Sequence, residues 1–90
     1  MDAETAKRVA QIAEDFLKGS GMIGEEVPTT LEAFDARDES RLTVTVSFPM
    51  PVVTTDGPVF RTRAYRRFEM DPRTFEIRRM TDALANEIAA

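Results

Sequence analysis

Leu42, Val44, Val46 and Phe48 alternate with Thr43, Thr45 and Ser47, and a period of two puts four apolar side chains on one side of an extended chain and small hydroxyls on the other. A strand written this way predicts a sheet with one face covered and one face polar. The cover is legible near the start of the chain. In DAETAKRVAQIAEDFLKGSG, Val9, Ile12, Ala13, Phe16 and Leu17 recur at helical spacing, with Lys7, Arg8, Gln11, Glu14, Asp15 and Lys18 on the other side. This predicts an amphipathic helix of about four turns, with Asp2 as a candidate cap, Glu4 in the first turn, and Gly19 or Gly21 ending it in a left-handed conformation. Its polar face mixes signs, which fits core packing rather than a membrane surface.

The other segments complete an α-β-β-β-β-α order. Leu31 to about Ala36 reads as a short first strand, ended by the turn-like DARDES. After the alternating strand, Pro49 and Pro51 cannot donate ladder hydrogen bonds, so PMPVVTTDGPVF predicts an edge, a bulge or a long hairpin tip that reverses at Asp56-Gly57. In VFRTRAYRRFEM, Phe60, Ala64, Phe68 and Met70 share one parity, while Arg61, Arg63, Tyr65, Arg67 and Glu69 share the other. Asp71-Pro72 opens a tight turn, TFEIRRM returns as the last strand, and a short helix from about Asp82 to Ala89 uses Leu84 and Ile88. The expected fold class is α+β: an N-terminal amphipathic helix packed on a four-stranded antiparallel sheet, with a short C-terminal helix, in one domain over residues 1–90. A chain of 90 residues buries little more than half of its unfolded surface, so its stability margin is thin.

Charge is segregated along this order. The chain carries 12 Lys plus Arg against 16 Asp plus Glu, yet residues 60–79 hold seven arginines against three acids, and residues 1–59 hold five basic groups against eleven acids. Arg61, Arg63 and Arg67, with Tyr65 among them, are expected to project together from the third strand. Arg78 is expected to join them from the fourth if Phe75 and Ile77 face inward, whereas Arg66 and Arg79 fit the apolar parity poorly and are assigned to strand ends or a bulge. Guanidinium groups bind carboxylates through planar, bidentate hydrogen bonds. Met50, Val52 and Val53 at the proline-rich tip offer a small apolar anchor beside them.

Other chemistries find little support. With no His and no Cys, the usual proton shuttle, thiolate nucleophile and zinc ligands are missing, and DARDES lacks the frame of a calcium loop. The glycines near Gly19 do not make a phosphate loop. Neither Glu25-Glu26 nor Glu69-Asp71 is singled out as an acid and base pair, so no catalytic, cofactor or metal residue is assigned. The expected function is a small protein-interaction or regulatory module in which Arg61, Arg63, Tyr65, Arg67 and Arg78, with Met50, Val52 and Val53, meet an acidic protein surface. Self-association is a second expectation within that class. A single-stranded nucleic-acid binder is an alternative, weakened by Tyr65 being the only outward aromatic, and an enzyme is another. No signal-peptide pattern and no long apolar run is present, which leads to the expectation of a cytoplasmic protein without membrane contact.

The segment RRFEMDPRTFEIRRM also resembles the end of the small α+β domains called PepSY-like. Those domains close on a strand, an Asp-Pro turn and a strand written as aromatic-x-Val-Asp-x-x-Thr-Gly-x-Ile. Phe68, Met70, Asp71, Thr74 and Ile77 stand at the matching positions, and Phe75 replaces the expected Gly. The likeness covers the last third of the chain, and the rest only by element order. It implies a noncatalytic binding or inhibitory role, often outside the cytoplasm, and gives no residue a catalytic role.

Overall fold

The apolar spacing of the first segment becomes α1, Ala3–Gly19, with Val9, Ala13 and Leu17 buried one turn apart. Residues 3–83 are described by a computed structural model, and of residues 51–54 and 58–61 the backbone alone. Gly21, at φ +82°, ends the helix: its N–H donates to the Lys18 carbonyl at 3.2 Å and the Met22 N–H to the Leu17 carbonyl at 3.1 Å. This pair of bonds is the Schellman closure, which needs a left-handed residue and therefore favours glycine. The expected Asp2 cap lies outside the described residues.

Four strands follow: β1 Thr30–Asp35, β2 Leu42–Thr54, β3 Gly57–Met70 and β4 Ile77–Ala83. They form one antiparallel sheet in the order β1-β2-β3-β4. Leu42, Val44, Val46 and Phe48 turn to the helix, as their alternation predicts, and β3 sets Met70 opposite Leu42 and Phe68 opposite Val44. Val9, Ala13, Leu17 and Ile23 close the core from above. Each such side chain taken out of water contributes about 1.5–3 kcal/mol. Phe16 is 40% exposed but meets Phe68 edge to face, with ring centroids 5.8 Å apart.

The prolines do not end β2. Beyond Ser47 the strand has no β1 partner, so Pro49 and Pro51 sit where one edge of β2 needs no ladder bonds. Residues 51–61 pair only within the β2–β3 hairpin, which reverses at Thr55-Asp56 with Gly57 at φ +108°. This two-stranded arm contributes to extents of 49 × 29 × 22 Å. Arg61 has no partner across the arm, since Met50 pairs with Thr62 and Pro51 with Phe60, and it is the extra residue of a bulge.

Two expectations at the C-terminal end are corrected. The last strand starts at Ile77 rather than at Thr74, because Asp71 holds the intervening residues in a turn. Its carboxylate accepts the Arg73 and Thr74 N–H groups, and its carbonyl accepts the Phe75 N–H at 2.8 Å. The strand then runs through Asp82 to Ala83, opposite Arg66 and Tyr65, so the first residues of the expected terminal helix are strand instead. Ladder pairing with β3 outweighs the small helical preference of so short a segment. The remainder of that expected helix, including Leu84 and Ile88, lies outside the described residues.

Candidate functional site

With α1 on one face, the opposite face of the sheet is left without a helix or strand over it among the described residues. It carries the odd-numbered set of the two central strands: Thr43, Thr45 and Ser47 from β2, and Arg63, Tyr65, Arg67 and Glu69 from β3. The hydroxyls form a floor roofed by longer side chains, leaving Thr45 2% and Ser47 0% exposed. Ser47 Oγ donates to Glu32 Oε1 at 2.6 Å and accepts from Arg63 Nε at 3.1 Å, while Arg63 Nη2 donates to Thr30 Oγ1 at 3.2 Å. Each polar atom of Ser47 has a partner, which makes its burial tolerable. Arg63 is thereby fixed along the sheet.

Toward β4 and the β1–β2 loop the face sinks into an open concavity of ≈ 900 Å³. Thr43, Thr45 and Thr81 are among its lining residues, with Arg37, Arg41, Arg67 and Arg79 as its cations and Asp35 and Glu69 as its acids. Four arginines against two acids give a local balance of plus two in a chain of net charge −4. Arg37 grips Asp35 through two side-chain hydrogen bonds and one from its own N–H. Those bonds hold the Asp35 carboxyl down at about 2. Asp38 is also lowered, chiefly because the Ser40 hydroxyl and N–H donate to it. Arg41 bridges Asp38 and Glu69, each at 3.4 Å.

The sequence expectation is partly rearranged. Arg63, Tyr65 and Arg67 do share the uncovered face, with Tyr65 half-buried beside Ser47. Arg78 does not join them. Glu69 pairs with Arg79 and Met70 with Ile77, so Arg78 is the unmatched residue of a bulge, where its guanidinium donates to Ser40 O and Asp71 Oδ2, each at 2.7 Å. It ties the β1–β2 loop to the β3–β4 turn. The bulge restores parity for the next residue, and Arg79, which the sequence alone assigns to an end, enters the concavity. Arg66 stays on the helix face, 5.5 Å over the Phe48 ring and 3.2 Å from Asp82. Met50 is half-buried against the core rather than an exposed anchor. The side chains of Arg61, Val52 and Val53 lie outside those described.

Arg37 and Arg41, from the loop, are the cations that strand parity missed. Their positions depend on how the chain folds back from β1 to β2, and the acids of DARDES gave the only hint, as their pairing partners. Among the described residues no helix is long and apolar enough to cross a membrane. Comparison with protein families, with curated proteins and with solved structures gives no match.

Proposed function

We propose that this chain is a protein-interaction module, regulatory rather than catalytic, that recognises an acidic partner in the cytoplasm through the uncovered face of its sheet. One observation carries the reading: the face away from α1 holds a concavity in which four arginines meet two acids, although the chain as a whole is acidic. Guanidiniums set on strands lose less freedom on binding than the same groups on a loop, and their planar forks match carboxylates. Complementary charge of this kind raises association rates and rejects basic competitors. Nucleic acid is the weaker ligand for the face, because sheet readers of single strands stack bases on several aromatic rings and Tyr65 stands alone and half-buried.

Quantitative affinity capture from nuclease-treated lysate of the source cells tests this, comparing the unmodified protein with a folded Arg63→Glu, Arg67→Glu, Arg79→Glu variant. A protein partner rich in acidic surface is expected with the first and lost with the second. Equal recovery of the same partner by both would remove the face from the function. Recovery that disappears on nuclease treatment would reassign it to nucleic acid.

A further inference from the structure

Three guanidiniums crowd one carboxylate in the middle of the concavity. Glu69 stands opposite Thr43 on β2 and Arg79 on β4, two residues along β3 from Arg67, and 3.4 Å from Arg41 Nη1. Arg67 faces Thr81 while Arg79 faces Glu69, so the two arginines occupy diagonal positions across the β3–β4 pair. Diagonal neighbours in an antiparallel ladder have Cα atoms about 7–8 Å apart. Arg79 is exposed and makes no ion pair among the described residues, in contrast to Arg63, which Ser47 and Thr30 hold, and Arg78, which Asp71 holds.

We propose, resting on the acidic-partner reading, that the concavity takes an extended peptide segment with carboxylates on alternate residues. An extended chain turns every second side chain to the same side, a repeat of about 7 Å. That repeat matches the diagonal spacing of Arg67 and Arg79. Two carboxylates also balance the surplus of plus two in the lining, and the Thr43 and Thr81 hydroxyls beside them are further donors. A phosphoryl group brings similar charge to a single point and matches one guanidinium of the diagonal, leaving the other uncompensated. Glu69 sets the register: a ligand carboxylate placed over it is repelled, and one placed on either side of it meets an arginine.

Fluorescence anisotropy with two labelled peptides of identical composition tests the proposal. One alternates Glu and Ser, and the other carries its glutamates in one block and its serines in another. At low salt the alternating peptide is expected to bind at least about threefold more tightly than the block peptide. Arg79→Glu is expected to weaken it by about tenfold or more, and Arg63→Glu by no more than about twofold, with each variant's fold checked by circular dichroism. Equal binding of the two peptides, both weakened by Arg79→Glu, would overturn the alternate-residue inference and leave acidic recognition standing. Loss with Arg63→Glu and not with Arg79→Glu would move the contact out of the concavity, overturning the same inference alone. Absence of binding by either peptide would bring down the acidic-partner reading itself.

Discussion

Phe75 has φ +64°, a left-handed conformation that costs a non-glycine residue about 1 kcal/mol. It is held there by three things: its N–H bonded to the Asp71 carbonyl, its ring packed against the core, and the Arg8 guanidinium 5.2 Å from the ring centroid. Truncation to alanine removes the packing and keeps the strain, whereas truncation to glycine removes both. Phe75→Gly is therefore expected to be about 1 kcal/mol more stable than Phe75→Ala, with both below the parent chain, as read from urea midpoints. An alanine variant as stable as the glycine variant would show that the backbone there is not strained. Asp71, at the head of the same turn, has its carboxyl lowered by the Arg73 and Thr74 N–H groups and then by Arg78. A carboxyl lowered in the folded state stabilises the fold above its unfolded value near 3.8, and that contribution is lost as pH falls through the lower folded value. Asp71→Asn removes the ionisable group, so the stability difference between parent and variant is expected to shrink as pH falls below about 4 in urea titrations. A constant difference across that range would exclude the linkage.

At the scale of the elements, legibility followed periodicity and failed where a single inserted residue shifted it. α1 and the first half of β2 carry their own period, and Val9, Ala13, Leu17, Val44 and Val46 are buried as that period requires. The prolines of β2 read as a break because ladder bonds are a property of the neighbouring strand, and the sequence does not say that β1 stops short of them. Arg78 and Arg79 exchanged roles for a related reason. Asp71 and Arg78 are seven residues apart and meet only once the turn is closed, and the resulting bulge moves Arg79 onto the uncovered face. Arg66 shows the limit of parity in the other direction: it occupies an apolar position because its long side chain stacks on Phe48 while its charge meets Asp82. Face assignments from β3 alone thus identified Arg63, Tyr65 and Arg67, and left Arg37, Arg41 and Arg79 to be found from three-dimensional packing.

For the whole molecule, the decisive division is between a body of helix and four-stranded sheet and an arm of two strands. β1 pairs with β2 only as far as Ser47, and β4 pairs with β3 only as far as Tyr65. The arm beyond Met50 and Thr62 therefore draws its ladder from itself, and isolated two-stranded ribbons are marginal in water. Met50 and Thr62 face each other directly, so residues 51–61 can be replaced by Asn-Gly, the pair that favours a two-residue hairpin loop of matching twist. Shortening the loop also lowers the entropy cost of closing the hairpin. The variant is expected to keep the sheet and helix signals in circular dichroism and a thermal midpoint within a few degrees of the parent. Its affinity for the alternating acidic peptide is expected to be unchanged, since every residue lining the concavity remains. If the body collapses without the arm, the ladder of the arm is part of the fold's minimum. If the body stands and acidic binding is lost, recognition belongs to the arm, where Arg61, Val52 and Val53 lie, and the sheet face is an ordinary solvated surface.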